Sequence, residues 1–227
     1  MSVKDNIEQV RKRVEKAALS ANRDPNEISI VAVSKNIAPS KILKAIDAGI
    51  TIVGENRVQE LIKKYDIINK NISWHMIGSL QTNKVKYIID KVDLIHSLDR
   101  ISLARELNKR AGAIGRKIQT LIQVNMSRES TKSGIYEEDL ISFIEELVDY
   151  PNIEVKGLMT IGPNTHDTDT VRECFSRFRC LFEDLRSRQI DHIDMQYLSM
   201  GMTNDYEIAI EEGSNMIRIG RGIFMDK

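Results

Sequence analysis

A regular alternation of short apolar runs with longer helical patterns is the feature that most constrains the fold. Eight of these runs, rich in β-branched residues, are predicted as strands around residues 28–35, 51–53, 74–77, 94–96, 117–125, 155–160, 195–200 and 216–219. The seventh run, MQYLSM, is expected to form a short strand. Eight strand–helix units are the number that closes a (β/α)8 barrel. We therefore predict an α/β fold, a single TIM barrel over residues 1–227.

An additional helix is predicted in front of the first strand, from Val3 to Ala21. Ile7, Val10 and Val14 fall on one stripe of that helix, which indicates one buried face. A doubly wound open sheet is the main alternative fold. It usually has fewer strands and carries a glycine-rich fingerprint after the first one, and no G-x-G-x-x-G or P-loop occurs in this sequence. The pattern favours the barrel.

Charge and hydropathy exclude several classes of partner. Lysine plus arginine and aspartate plus glutamate number 33 each, so no net charge attracts nucleic acid or an anionic membrane. No apolar run approaches the roughly 20 residues of a membrane helix, and the charged N-terminus is unlike a signal peptide. Cys174 and Cys180 are expected to be buried thiols without a disulfide. These features predict a cytoplasmic protein.

Polar and small residues follow several of the predicted strands, where barrel proteins carry their functional groups. Lys35 ends the first strand, ISIVAVSK, and its stem is expected to run through or beside the barrel interior. The neutral amine of a lysine attacks a carbonyl carbon to form a Schiff base. The alternative is a lysine that only extends into solvent at a strand end.

Two glycine-bearing segments, LSMGMTND and RIGRG, follow the seventh and eighth strands. In many barrels, the backbone N–H groups of these two loops bind phosphate. The candidate phosphate-binding residues are Ser199, Gly201, Thr203 and Gly220, since small residues let an anion approach the backbone. The alternative is that the glycines only shape tight turns.

Arg218 lies between Ile217 and Ile219 on the last strand, so its side chain is directed toward either the barrel interior or the helix layer. A buried arginine requires a partner, which could be an acidic residue or the ring nitrogen of a ligand. A lysine amine, a phosphate-binding loop and an arginine together match what pyridoxal 5′-phosphate (PLP) requires of a protein. The combination is more specific than any one of its parts.

The four histidines, His75, His96, His166 and His192, lack the spacing of a metal site, so no metal is predicted. His75 could line the mouth of a pocket, but a structural hydrogen bond is the expected role.

Several motifs, in this order, resemble those of the YggS/PROSC family, the PLP homeostasis proteins: VAVSKN, GENRVQE, HMIGSLQTNK, STKSGI, GLMTI, LSMGMTND and RIGRGIF. The resemblance implies a barrel of the alanine racemase N-terminal domain type. It also implies that Lys35 carries PLP as a Schiff base and that Asn56 lies near the cofactor ring. Arg218 is implied as the partner of the pyridine nitrogen, and the implied phosphate contacts are Ser199, Gly201, Thr203 and Gly220.

Two positions depart from the family pattern. Arg57 stands where an aromatic residue is common, and Arg221 stands where threonine is common. A threonine hydroxyl at position 221 could have bound phosphate, whereas an arginine could form an ion pair or turn toward solvent.

The resemblance implies a role in intracellular PLP homeostasis, as a carrier or buffer, with apo forms of PLP-dependent enzymes as recipients. It leaves the choice between a monomer and a weak dimer open. Related racemases take a second base from a further C-terminal domain, and this chain is expected to lack it. That absence favours a PLP holder over an efficient enzyme. The open alternatives are a weak PLP-dependent amino-acid racemase or related enzyme, a PLP-free aldolase-type Schiff-base enzyme, and a PLP-independent interaction module.

Overall fold

The computed structural model describes residues 2–188, 190 and 193–225. Eight parallel strands form a closed barrel in chain order, with β8 paired to β1. The strands are β1 (Ser29–Val33), β2 (Ile52–Glu55), β3 (Ser73–Met76), β4 (Leu94–Leu98), β5 (Ile118–Gln123), β6 (Ile153–Met159), β7 (Ile193–Met202) and β8 (Met216–Ile219). The predicted barrel is confirmed, and every predicted strand overlaps an observed one.

The helices lie outside the barrel. They are α1 (Val3–Ser20), α2 (Pro39–Asp47), α3 (Val58–Ile67), α4 (Ile101–Ala113), α5 (Leu140–Leu147), α6 (Thr168–Ser187), α7 (Tyr206–Glu211) and α8 (Arg221–Phe224). The third connection contains a 3-10 helix, Thr82–Tyr87, instead of an α-helix. The carbonyls of Ile89 and Val92 just beyond it accept hydrogen bonds from Arg116 and not from helical N–H groups. The expectation of a helix in every unit is therefore wrong there.

The alternation of side chains along the strands produces two apolar regions. A small cluster lies inside the barrel and contains Val31, Leu94, Leu121, Met159 and Met216. The larger cluster lies between the strands and the surrounding helices. Because the interior is narrow and mostly apolar, any polar side chain that points into it must find a hydrogen-bond partner there.

Helix α1 begins with a capping box between Ser2 and Asp5. Its predicted apolar stripe is buried, and its contacts reach α2, α7 and α8. The buried Asn6 amide donates to the carbonyls of Ile223 and Met225 at 3.0 and 3.1 Å. The first helix therefore holds the segment that follows β8.

Strand β7 spans 10 residues, so the expectation of a short seventh strand is wrong. Its register against β6 shifts between Val155 and Gly157, and Gly157 has φ +145°. A Cβ atom at position 157 would lie 1.9 Å from the Tyr197 carbonyl oxygen. The strand thus continues through an irregularity that only a glycine accommodates, and apolar periodicity does not reveal it.

None of the described helices is long and apolar enough to cross a membrane. Both cysteines are free thiols, as expected, but Cys174 is half-buried and Cys180 is exposed. The expectation of burial is wrong for Cys180 because its side of α6 faces solvent.

Candidate functional site

The predicted site residues converge on one side of the barrel rim, at the carboxyl ends of four consecutive strands. Strands β7, β8, β1 and β2 are neighbours in the closed sheet. Each contributes residues from its last part or from just beyond its end: Ser199, Gly201 and Thr203 from β7, Arg218 and Gly220 from β8, Lys35 from β1, and Asn56 from β2. The rim therefore combines an amine, an amide, a guanidinium group and two glycine-bearing loops.

Lys35 is exposed, and it makes no hydrogen bond or ion pair with the described residues. Its exposure favours the alternative of a lysine that extends into solvent at the strand end over a stem enclosed in the barrel. Strand β1 ends at Val33, and Asn36 adopts a left-handed conformation with φ 58°, which turns the chain out of the barrel. The amine is consequently available at the rim to react with a carbonyl compound.

A charged cluster of the buried Glu55 and Lys64 and the half-buried Glu60 lies below the Lys35 loop. The Lys64 ammonium group donates to the Ser34 carbonyl at 2.7 Å, to Glu60 at 3.0 Å, and to the Glu55 carboxylate. Glu55 also accepts the Ser34 hydroxyl at 2.6 Å, and Glu60 accepts the Asn36 N–H at 3.0 Å. The cluster thus holds the residues on both sides of Lys35.

Hydrogen bonds to the cluster also affect the charge of Glu60 and the position of Asn56. The Asn36 N–H, and then Lys64, lower the pKa of Glu60. The second oxygen of Glu55 accepts the backbone N–H of Asn56 at 3.0 Å. Sequence reasoning missed this cluster. Its only visible signal was a glutamate directly after an apolar strand, which is an unusual position for a buried charge.

Asn56 presents an amide oxygen that is buried and has no hydrogen-bond partner among the described residues. The backbone at Gly78 lies close to the backbone of Asn56, since a Cβ atom at Gly78 would lie 2.4 Å from the Asn56 carbonyl oxygen. A buried acceptor without a partner is costly, so a ligand that donates a hydrogen bond at this point would be stabilised.

Arg218 points into the barrel and is buried. Its Nη1 atom donates to the Ser199 hydroxyl at 2.7 Å, and its Nη2 atom donates to the Thr160 carbonyl at 2.8 Å. No carboxylate of the described residues lies within ion-pair distance, which speaks against the acidic-partner alternative. Burial lowers the pKa of Arg218 to about 10, against the opposing effect of the Asp205 carboxylate. The guanidinium group therefore remains a cation at neutral pH.

Two histidines continue the hydrogen bonds of Arg218 through the barrel. His96 Nδ1 lies 3.3 Å from the Ser199 hydroxyl, and His96 Nε2 lies 3.0 Å from His75 Nδ1. Burial lowers the pKa of His75 to about 4 and that of His96 well below its ordinary value, so both rings are neutral at neutral pH. The expectation of a structural hydrogen bond for His75 is confirmed.

The described part of the chain contains no group of three or more His, Cys, Asp and Glu side chains that could hold a metal ion. Of the other two histidines, His166 is exposed and His192 lies outside the described residues.

The glycine-bearing loops after β7 and β8 lie beside each other. Gly201 has φ +91°, and a Cβ atom there would lie 2.5 Å from the Ala209 side chain, so only glycine fits. A Cβ atom at Gly222 would lie 3.5 Å from the Thr203 methyl group, which places the β7 loop against α8. A Cβ atom at Gly220 would meet Val33 at 3.4 Å, which places the end of β8 against β1.

Two polar groups near these loops already have partners. The Met202 N–H donates to Asp205 at 2.5 Å, and burial raises the pKa of that carboxyl group. The Ser199 hydroxyl is turned into the barrel and bonded to Arg218. Arg57 and Arg221, which depart from the family pattern, are both exposed.

Comparison with known proteins identifies the family. The family model of the alanine racemase N-terminal domain matches residues 2–227. The pyridoxal phosphate homeostasis protein of Aquifex aeolicus (strain VF5) is 40% identical over 228 residues, which cover 100% of this chain and 99% of that protein. An unknown protein from Bifidobacterium adolescentis has a crystal structure with a TM-score of 0.90 and 34% identity, covering 98% of this chain and 94% of that one.

PipY of Synechococcus elongatus PCC7942, solved with PLP bound, has a TM-score of 0.82 and 31% identity, and covers 94% of this chain and 100% of that one. The family model, the full-length relatives and the closed barrel agree with one another. The chain therefore belongs to the family of pyridoxal phosphate homeostasis proteins, within the group built on the alanine racemase N-terminal domain.

Proposed function

We propose that this protein binds PLP as a Schiff base on Lys35 and acts in intracellular PLP homeostasis, as a carrier or buffer of the cofactor. The observation that carries the proposal is the convergence of a free lysine amine, an unpaired Asn56 amide oxygen and the buried Arg218 on adjacent strand ends. The PLP bound in PipY and the names of the full-length relatives support it.

When bound, PLP supplies an electrophilic aldehyde carbon and an electron-withdrawing pyridine ring. The Lys35 amine forms the covalent link, and the unpaired Asn56 amide oxygen accepts a hydrogen bond close to the ring. Arg218 donates a hydrogen bond to the ring nitrogen. Because the guanidinium group keeps its proton, the ring nitrogen stays unprotonated, which favours holding the cofactor over stabilising a carbanion on it.

The proposed phosphate contacts are small residues in the last part of β7 or just beyond β7 and β8: Ser199, Gly201, Thr203 and Gly220. Their support is the close approach of the two segments, where a Cβ atom at Gly222 would lie 3.5 Å from the Thr203 methyl group. Of the four, Ser199 has its hydroxyl already bonded to Arg218.

Carrier function requires that PLP can leave as well as bind. The exposed position of Lys35 supports this requirement, because an amine from another protein could approach the same aldehyde carbon at the rim. Under this proposal, the recipients are apo forms of PLP-dependent enzymes in the cytoplasm, and the carrier acts as a monomer or a weak dimer.

The first experiment is the visible absorbance spectrum of purified protein incubated with PLP, followed by borohydride reduction and peptide mapping. We expect a yellow band and a reduced pyridoxyl group on Lys35. Lys35→Ala should abolish both, whereas Lys44→Ala, a change of an exposed lysine on α2, should preserve both. A colourless wild-type protein, or a label on another lysine, would contradict the proposal.

Delivery is tested separately from binding. The PLP-loaded protein is mixed with an apo PLP-dependent enzyme, and the recovered activity of that enzyme is followed over time. We expect faster recovery than from the same concentration of free PLP in the presence of a competing small amine. No transfer from a loaded protein would refute the carrier role while leaving PLP binding intact.

A further inference from the structure

A continuous chain of hydrogen bonds crosses the barrel interior from Arg218 to the opposite rim. Beyond Ser199, His96 and His75, the chain continues to the Ser73 hydroxyl, 3.1 Å from His75 Nε2. Ser73 in turn donates to the Asp93 carboxylate at 2.9 Å. Asp93 precedes β4 and is exposed, so the chain joins the candidate site to the amino-terminal side of the barrel.

At the other end, the exposed Asp93 carboxylate meets three groups of the described residues, and all three are donors. The oxygen that accepts the Ser73 hydroxyl also accepts the Trp74 N–H at 3.1 Å, and the other oxygen lies 3.7 Å from an Arg116 nitrogen. Asp93 is therefore a fixed acceptor. Arg218, at the other end, is a fixed donor, since a guanidinium group has no acceptor.

These two ends leave one arrangement of protons between them. The single Ser73 proton is committed to Asp93, so Ser73 must accept the Nε2–H of His75. Because His75 is neutral and its proton is on Nε2, its Nδ1 atom is unprotonated and must accept the Nε2–H of His96. His96 Nδ1 accepts the Ser199 hydroxyl proton, and the Ser199 lone pair faces Arg218. Each donor along the chain meets one acceptor, and reversing any link would leave two protons or two lone pairs facing each other.

The surroundings favour this uncharged arrangement of the histidines. The barrel interior that holds them also contains the apolar cluster of Val31, Leu94, Leu121, Met159 and Met216. The charged groups near them are Arg218 on β8, Asp93 before β4 and Arg116 beyond α4. A second positive charge close to the buried Arg218 would be repelled, so the rings serve as neutral connectors.

We propose that His75 and His96 are positioning residues that fix the Ser199 hydroxyl with its lone pair toward Arg218, and so hold the guanidinium group in place for the ligand. Without this chain, the Ser199 hydroxyl could rotate and direct its proton at the guanidinium group. The part of this inference that concerns the ligand rests on the proposed PLP function. The tautomers of the two histidines do not depend on it.

The first test is ¹⁵N NMR of protein labelled at histidine, recorded without PLP. We expect two neutral histidines with protonated Nε2 and unprotonated Nδ1, assigned by their loss in the His75→Gln and His96→Gln variants. His166→Gln, which removes an exposed histidine, serves as the control. An Nδ1–H tautomer or a charged imidazolium at either position at neutral pH would overturn the proposal, whether or not the protein binds PLP.

The second test breaks the chain at its far end. Ser73→Ala removes the hydroxyl that sets the His75 tautomer and leaves the PLP site untouched. We expect PLP affinity to fall about fivefold, the effect of weakening one hydrogen bond. The histidine signals should report a mixture of tautomers. Ser73→Thr retains a hydroxyl and should restore both readouts.

Ser142→Ala, which removes a surface hydroxyl on α5, is the matched control and should change neither readout. Unchanged affinity and unchanged tautomers in Ser73→Ala would overturn the proposal. If the wild-type protein binds no PLP while the tautomers are as expected, the function proposed above fails and the positioning role of the histidines stands.

Discussion

Lys64 is the residue on which the geometry around Lys35 depends most. One ammonium group binds the Ser34 carbonyl and the carboxylates of Glu55 and Glu60. Both Lys64 and Glu55 are buried, so if one of them is lost, water cannot take its place beside the remaining charge. Lys35 itself is exposed, whereas the backbone on both sides of it is held by this cluster.

We predict that Lys64→Met lowers the free energy of unfolding by about 3–5 kcal/mol, because Glu55 is left as an uncompensated buried charge. Chemical denaturation measures the change. Lys63→Met, on the exposed side of the same helix, should alter stability by less than about 0.5 kcal/mol. The double variant Lys64→Met/Glu55→Gln should recover part of the loss. A Lys64→Met protein as stable as the wild type would contradict this account.

The limits of sequence reasoning are visible at this scale. The inward direction of Arg218 was one of two possibilities that strand alternation allowed, and burial between Ser199 and Thr160 decided between them. The roles of Lys64 and His96 could not be predicted, because their partners lie on other elements. Lys64 is one lysine among many on an amphipathic helix, and its burial depends on how α3 rotates against the barrel.

At the scale of elements, the number and order of strands were predictable, because each strand is an apolar run between polar turns. Their ends were not. Strand β1 stops before Lys35, where the buried cluster binds the backbone, and β7 extends to Met202 through an irregular register. Such boundaries depend on backbone contacts between strands and on single glycines. The spacing of apolar residues in the sequence contains no information on either.

Two glycines with positive φ allow a matched prediction. Gly157→Ala would place a Cβ atom against the Tyr197 carbonyl oxygen in a conformation that alanine rarely adopts. We expect a loss of roughly 3 kcal/mol or more, since backbone strain and overpacking add. Gly115→Ala, at φ +65° with open space around it, should cost only about 1 kcal/mol. Thermal unfolding of both variants gives the comparison, and equal losses would contradict it.

At the scale of the whole molecule, the two buried histidines make stability depend on pH. Burial lowers the pKa of His75 from 6.5 to about 4 and lowers that of His96 well below its ordinary value. At pH values between the folded and the unfolded pKa values of these histidines, the unfolded chain therefore binds protons that the folded chain does not. Stability is highest above the ordinary histidine pKa and is lost as the pH falls from about 6.5 toward 4.

This dependence is measurable by urea unfolding at a series of pH values between neutrality and about 4. The wild-type protein and His166→Gln should show the same decline in the free energy of unfolding. A His75→Gln/His96→Gln variant should be less stable at neutral pH and should show a shallower decline. A wild-type stability that stays constant across the window would refute the assignment of neutral buried histidines.

The closure of β8 onto β1 has a consequence for how the protein is made. Ala32 pairs with Ile219, and the Asn6 amide donates to the carbonyl of Ile223. Residues of β1 and α1 therefore cannot form these contacts until β8 and α8 have been synthesised. The proposed PLP site lies on this seam and draws on β7, β8, β1 and β2. During synthesis, the ribosome releases Lys35 long before Arg218 exists. A growing chain therefore carries Lys35 without the other groups of the proposed site, and the ability to hold PLP should appear only after β8 has been synthesised.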